Sequence, residues 1–166
     1  DVLGIDFAPT AVDRTRALGV AAQVATFSSF SHGPFDLVSV HYGGVRATPE
    51  EVEKLERLVA PGGTLLFVHH DMESAEVAMP EWLAENLREL ETVELTRRER
   101  HLTEGAGAHH HSDVVSSSSA WASESPTMPP PAQARADSPS PATSAQRMAT
   151  MYSPSPELSH QPTAPA

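Results

Sequence analysis

Side chains that could do chemistry recur where the apolar runs of this sequence end. They are acidic, hydroxyl, aromatic or imidazole groups: Asp6 and Phe7, Thr26 and Phe27, His41 and Tyr42, then His69, His70 and Asp71. A carboxylate offers two acceptor oxygens to a pair of hydroxyl donors, and a neutral imidazole takes up a proton near pH 7. These residue types therefore favour ligand binding through Asp6 and substrate contact or proton transfer through His41 or His70.

Two histidine clusters raise the alternative of a metal site. His69 and His70 precede Asp71, and residues 109–111 are all histidine. Imidazole and carboxylate are good metal ligands. Adjacent residues of a strand point to opposite faces, however, so His69 and His70 cannot both reach one ion unless the backbone turns there. We therefore predict no metal site.

The apolar periodicity predicts the elements that position these side chains. Predicted strands cover 2–7, 20–27, 35–42 and 64–70, predicted helices cover 9–18, 49–59 and 81–90, and an alternating hairpin covers 92–102 and 108–115. This order is typical of a doubly wound, Rossmann-like α/β sheet with a C-terminal antiparallel hairpin. Ligands in such sheets bind beyond the carboxyl ends of the strands, where the candidate residues lie.

The composition changes at Ser116. Residues 116–166 contain 10 of the 15 prolines, many serines and few aliphatic side chains. Such a segment cannot bury enough apolar surface to offset its ordering entropy. We predict one globular domain over 1–115 and a disordered Ser/Pro/Ala-rich tail over 116–166.

Charge and cysteine content exclude several classes of partner. The net charge is −11, which disfavours binding to nucleic acid or another polyanion. No cysteine is present, which excludes disulfides and thiolate metal sites and fits a cytoplasmic protein. The apolar runs are far shorter than the roughly 18–20 residues of a membrane span, so we expect no membrane partner.

Three stretches carry a family resemblance. The sequences "GIDFAPTAVDRTRALG", "GPFDLVSVHYGG" and "LERLVAPGGTLLFVHHD" resemble, in order and spacing, class I S-adenosylmethionine-dependent methyltransferases, most closely small-molecule enzymes of the tellurite-resistance and thiopurine type. The resemblance covers roughly residues 1–115. It implies S-adenosylmethionine as cofactor and a small-molecule methyl acceptor as partner.

The resemblance also implies roles for the residues at the first strand ends. Asp6 would accept hydrogen bonds from both ribose hydroxyls, with Phe7 against the adenine or ribose edge. Thr26 stands where the family often has an aspartate that contacts the adenine amino group, and Phe27 could still hold the ring. Residues 41 and 42, His41 and Tyr42, fall between cofactor and substrate, and the general base would be His41 or His70.

One part of the family pattern is missing. The glycine-rich loop that holds the methionine part of the cofactor is absent, together with the first strand and first helix. That strand is central in the family, so we expect an empty slot between two exposed strand edges, and a fragment that binds the cofactor weakly or not at all. Two alternatives remain open: a fragment of a nicotinamide-dependent oxidoreductase, and a non-catalytic interaction protein.

Overall fold

The computed structural model describes residues 1–101, 109–122 and 148–152. Within these residues the chain forms seven strands and three helices: β1 (Val2–Asp6), α1 (Pro9–Ala17), β2 (Ala21–Val24), β3 (Phe35–His41), α2 (Pro49–Leu58), β4 (Val59–His70), α3 (Pro80–Asn86), β5 (Leu90–Glu99), β6 (Ser112–Ala120) and β7 (Met148–Tyr152). The strand order is β2-β1-β7-β3-β4-β6-β5. The first five strands of that order, from β2 through β1, β7 and β3 to β4, pair in parallel. Strands β6 and β5 add an antiparallel edge. The predicted doubly wound α/β class with a terminal hairpin is confirmed.

The core lies on one face of the sheet beneath α2 and α3. Alternate residues of the central strands point into it, including Val38 and Val40 of β3 and Leu65 and Phe67 of β4, all fully buried. This period of two follows from the pleat of the strand. The buried sheet face therefore fixes which strand-end residues point toward α2 and α3.

Helix α2 begins at a side-chain cap. The Thr48 hydroxyl accepts a hydrogen bond from the Glu51 amide, and Pro49 occupies the first helical position. Val52 and Leu55 are buried one turn apart, as their spacing requires. Within the described ranges, no helix combines the length and apolar character needed to cross a membrane.

The predicted tail is corrected by two strands. Strand β6 continues past Ser116 to Ala120, where its serines pair with β4 on one side and β5 on the other. Backbone pairing on both edges needs no aliphatic side chain, and Ser116 and Ser118 are buried in the sheet. Residues 148–152 form β7; the rest of the predicted tail, 123–147 and 153–166, lies outside the described residues.

The predicted empty slot is also corrected, because β7 fills it. Met148 to Met151 pair in parallel with Val2 to Ile5 of β1, and residues 148–152 pair with residues 37–41 of β3. Ala149 and Met151 are 1% and 4% exposed and belong to the core. The segment supplies two core side chains in the alternation that a strand in this position of the sheet requires.

Candidate functional site

A cavity of about 110 Å³ lies at the carboxyl ends of β1 and β2. It brings together four residues predicted to bind a ligand: Asp6, Phe7, Thr26 and Phe27. Sequence reasoning missed the other side of its wall, which includes Gly43, Gly44 and Met151. A Cβ atom at Gly43 would lie 2.7 Å from Val40 Cγ1, so a larger residue at this position would require Val40 or the backbone to shift. The Met151 contribution depends on β7, whose place in the sheet no local pattern indicates.

Asp6 carries the strongest polar feature of this cavity. Its side chain is 7% exposed, and Oδ1 accepts a 2.7 Å hydrogen bond from the Ala8 amide at the start of α1. Its second oxygen, Oδ2, is buried and has no hydrogen-bond partner among the described residues. Buried polar atoms are nearly always paired, so an unpaired carboxylate oxygen in a cavity wall suits a ligand that brings a donor. The donor set therefore fits a hydroxyl-bearing ligand such as a ribose.

The two phenylalanines of the cavity differ in how much of each is exposed to a ligand. Phe7 is 48% exposed at the cavity rim, whereas Phe27 is 6% exposed and packs into the core. The Lys54 ammonium lies 5.3 Å from the centroid of the Phe27 ring, which places a cation over one face of that ring. Phe7 is therefore the ring available for stacking on a flat ligand, whereas Phe27 is a buried part of the cavity wall.

Thr26 is committed to a local turn. Its amide donates to the Ser29 hydroxyl at 3.0 Å, and its own hydroxyl accepts from the Ser29 amide at 3.2 Å. Both groups that could recognise a base edge are therefore engaged within the chain. Adenine recognition through Thr26, which the resemblance leaves weak, would need this turn to open.

His41 lies outside the cavity that Asp6 lines. Val40 contributes to the cavity wall, and His41, the next residue of the strand, points to the opposite face of the sheet. There its Nε2 lies 2.8 Å from the Ser39 hydroxyl oxygen, and burial lowers the pKa of the half-buried ring. His41 is therefore neutral near pH 7 and able to accept a proton, but the structure does not bring it to Asp6.

Tyr42 and His70 meet at a second site, on the carboxyl ends of β3 and β4. The Tyr42 hydroxyl donates a 2.8 Å hydrogen bond to Asp113 Oδ2, and His70 Nδ1 lies 3.0 Å from Asp113 Oδ1. The two rings stack with their centroids 4.3 Å apart. Tyr42 adopts a φ of 52°, a left-handed conformation that non-glycine residues take up rarely and mostly where the surroundings hold them. We name Tyr42, His70, Asp113 and Arg100 the strand-end cluster.

Arg100 closes this cluster from the hairpin side. Its Nη1 lies 3.1 Å from His70 Nδ1 and 3.5 Å from Asp113 Oδ1, and its guanidinium carbon lies 5.2 Å from the Tyr42 ring centroid. The His110 ring stacks on His70 at 3.8 Å. Burial, with added repulsion from neighbouring positive groups, lowers the pKa of His110. Sequence reasoning missed Asp113 and Arg100, because only the placement of the hairpin beside β4 brings them to His70.

The histidines form no candidate metal centre. Across residues 1–101, 109–122 and 148–152, no three His, Asp or Glu side chains are arranged to hold one ion. His69 instead points its Nδ1 toward the His70 carbonyl oxygen at 3.4 Å, and Asp71 pairs with Arg97 at 2.8 Å. The polar groups near His70 are therefore used within the chain.

Comparison with known proteins gives fold-level matches. No protein-family model and no curated protein matches the sequence. Among solved structures, the chain is similar to the N-methyltransferase NodS from Bradyrhizobium japonicum WM9 in complex with S-adenosyl-L-homocysteine, with a TM-score of 0.55 and 18% identity, over 71% of this chain and 65% of that one. The match thus spans less than two thirds of NodS. The fold is that of S-adenosylmethionine-dependent methyltransferases.

Two further structures of this methyltransferase fold show the range of activities it carries. The [4+2]-cyclase SpnF matches with a TM-score of 0.54 and 15% identity, over 72% of this chain and 66% of that one. The 16S rRNA (adenine(1408)-N(1))-methyltransferase from Catenulisporales acidiphilia, in a variant form, matches with a TM-score of 0.51 and 14% identity, over 74% of each chain. The fold alone therefore leaves the reaction and the acceptor to be argued from the site.

Proposed function

We propose that this chain binds S-adenosylmethionine in the cavity beside Asp6 and transfers its methyl group to a small molecule, as the tellurite-resistance and thiopurine type does. The observation that carries the proposal is the Asp6 carboxylate, buried at a strand end with Oδ2 unpaired among the described residues. Two ribose hydroxyls would supply the donors that this carboxylate lacks.

The surrounding residues support this binding mode and a modest affinity. Phe7 is the exposed ring against which adenine can pack, and Thr26 offers little because Ser29 occupies its amide and hydroxyl. The cavity of about 110 Å³ is smaller than the ~300–1,000 Å³ typical of small-molecule pockets. Part of the cofactor must therefore lie across the open rim, which supports weak binding.

When bound, S-adenosylmethionine supplies an electrophilic methyl group on a sulfonium. The contribution of the protein is to hold donor and nucleophile in line and to accept any proton that the nucleophile releases. His70 is the first candidate base: it belongs to the strand-end cluster, outside the cavity lining, and its Nδ1 lies 3.0 Å from Asp113 Oδ1 and 3.1 Å from Arg100 Nη1. His41, held by Ser39 on the opposite face of β3 from the cavity, is the second candidate.

Charge supports a small-molecule acceptor over a nucleic acid, although an rRNA methyltransferase shares the fold. The chain has a net charge of −11, and all three arginines in the hairpin are paired with carboxylates: Arg97 with Asp71, Arg98 with Glu94 and Arg100 with Asp113. A phosphate backbone would find few free cations here. The absence of cysteine supports a cytoplasmic location.

Calorimetric titration of the full chain with S-adenosylhomocysteine tests the proposal. We expect weak, saturable binding that Asp6→Asn reduces at least tenfold, equivalent to about 1.4 kcal/mol. The matched control is Asp13→Asn, which changes an exposed aspartate of α1 and should leave the affinity unchanged.

Two outcomes of this titration would contradict the proposal. If the folded wild-type chain gives no saturable heat, the cavity beside Asp6 does not bind this cofactor. Binding that Asp6→Asn and Asp13→Asn leave equally intact would place the ligand elsewhere. A parallel titration with NAD⁺ addresses the nicotinamide alternative, which predicts tighter binding of the dinucleotide.

A further inference from the structure

The slot between β1 and β3 accepts an extended segment through backbone groups on both of its edges. Met148 pairs with Val2 and Leu37 at one end of the register, and Met151 pairs with Ile5 and Val40 near the other end. Without an occupant, two central strand edges would present unpaired amides and carbonyls inside the sheet. The slot therefore has the properties of a binding site for a strand, the mode in which extended peptides add to a sheet.

The side-chain pattern of β7 matches this slot. Ala149 and Met151 point into the core beneath α2 and α3, while Met148 and Thr150 lie on the face that carries α1 and are only partly buried. A shift of one residue would exchange these two pairs and push Thr150 into the core. The register of the occupant is thus set by an alternation of only four residues.

The same strand forms part of the candidate cofactor cavity. Met151 lines this cavity together with Asp6, and Ile5, the residue before Asp6, pairs with Met151. Ala149 does not line the cavity, although it holds the strand in place from the core. Occupation of the slot therefore completes a wall that an empty slot would leave open.

The covalent connection allows the chain to fill its own slot. Ala120 and Met148 lie at the same end of the sheet, because both Ser119 and the first residues of β7 align with Thr64 through β4 and β3. Three strand spacings of ~4.8 Å separate β6 from β7. The 27 intervening residues can span several times that distance at ~3.3 Å each.

We propose that the slot between β1 and β3 is a strand-binding site that the chain fills with its own residues 148–152, and that this strand and a ligand beside Asp6 stabilise each other. The identity of the ligand rests on the function proposed above. Coupling is reciprocal: if the ligand binds better when the strand is inserted, it holds the strand in by the same factor. Strand and ligand thus act as two partners of one site.

A disulfide tests the occupant and its register independently of any ligand. The chain has no cysteine, so Leu37→Cys with Met148→Cys introduces a single pair on neighbouring strands. Neighbouring strands lie ~4.8 Å apart, within the Cα separation that a disulfide accepts. Leu37→Cys with Ala149→Cys is the mismatched control, because its side chains point to opposite faces.

The expected result is an intramolecular disulfide in the first pair and none in the control, detected by non-reducing electrophoresis and peptide mapping. A disulfide-linked dimer would show that a second copy supplies the strand and would overturn insertion within one chain. No disulfide in the matched pair, or equal reaction of both pairs, would overturn the register.

Substitution at Ala149 tests the coupling. Ala149→Asp places a charge in the core and should weaken S-adenosylhomocysteine binding at least tenfold, although Ala149 does not contact the cavity. The matched control is Ala21→Asp, an exposed position of the edge strand β2, which should bind like wild type. Circular dichroism shows whether each variant folds, and if Ala149→Asp does not, Ala149→Gly replaces it with an expected loss of about threefold.

Hydrogen exchange of the full chain supplies the reciprocal measurement. We expect the ligand to slow exchange of amides in β7, β1 and β3 and to leave the β5–β6 hairpin unchanged. Wild-type affinity in both Ala149 variants, or equal slowing in every strand, would overturn the coupling. If the wild-type chain binds no S-adenosylhomocysteine but the intramolecular disulfide forms, the proposed function fails and the strand-binding site stands.

Discussion

The Tyr42 hydroxyl donates a hydrogen bond of 2.8 Å to the Asp113 carboxylate, joining residues that lie 71 positions apart in the sequence. Tyr42 follows β3 and Asp113 lies in β6, and β4 runs between these two strands. The bond therefore crosses over the end of β4, where His70 stacks on Tyr42 and contacts the same carboxylate. One carboxylate thereby ties together the ends of three strands.

We expect Asp113→Asn to destabilise the chain by about 2 kcal/mol, because charge-assisted hydrogen bonds contribute more than neutral ones and Arg100 would lose its carboxylate partner. Urea denaturation followed by circular dichroism measures the change. Asp13→Asn is the control, since Asp13 and its partner Arg16 are both exposed, and it should cost less than about 0.5 kcal/mol. Equal effects of the two substitutions would contradict the role of Asp113.

The sequence predicted the long, periodic elements and missed β7, the short strand inserted between β1 and β3. Apolar runs indicate strands β3 and β4, and a capping threonine with a proline at the first helical position indicates helix α2. Strand β7 has only Ala149 and Met151 as core residues, in a stretch rich in proline and serine. Its pairing with β1 joins residues at opposite ends of the sequence, and no local pattern carries that information.

The candidate site was predictable to the extent that it depends on strand ends. Asp6, Phe7, Thr26 and Phe27 were expected to lie together because parallel strands end at one edge of the sheet, and they line one cavity. His41 was expected at the same place, but the pleat sends it to the other face. Contacts such as Arg100 with His70 depend on how the hairpin packs on β4, which residue spacing does not determine.

Glu51 should make stability sensitive to acid. Burial acts to raise the pKa of Glu51, but hydrogen bonds from Ser28 and Arg46 outweigh burial and hold that pKa below its usual value of 4.5. A depressed pKa in the folded state adds stability above pH 4.5, and this stability is lost as the pH falls through the lowered pKa. Unfolding free energies between about pH 7 and pH 3 should fall less steeply for Glu51→Gln than for wild type. The exposed Glu53→Gln should follow wild type, and a Glu51→Gln curve with the wild-type slope would contradict the prediction.

His69 should make the stability of the fold depend on pH in a higher range than Glu51 does. Burial lowers the pKa of His69 from its usual value of 6.5, so the unfolded chain takes up a proton on this ring more readily than the folded chain. Stability is then complete above pH 6.5 and declines as the pH falls below it toward the folded pKa. Urea denaturation at about pH 7.5 and pH 5.5 should show a smaller difference for His69→Gln than for wild type. His101→Gln, at an exposed position, should retain the wild-type difference, and the same pH response in all three proteins would contradict the assignment.

Asp6 should separate stability from ligand affinity. Its Oδ1 holds the Ala8 amide at the start of α1, whereas its buried Oδ2 has no partner among the described residues and stabilises nothing there. Asp6→Asn keeps an oxygen for the Ala8 amide and removes the charge, so the free energy of unfolding should stay within about 0.5 kcal/mol of wild type. Asp6→Ala removes the acceptor as well and should cost about 1 kcal/mol, like the loss of a helix cap. Urea denaturation of the three ligand-free proteins measures both values. A loss in Asp6→Asn as large as that in Asp6→Ala would mean that the charge itself stabilises the fold, and the unpaired oxygen would then no longer be evidence for a ligand.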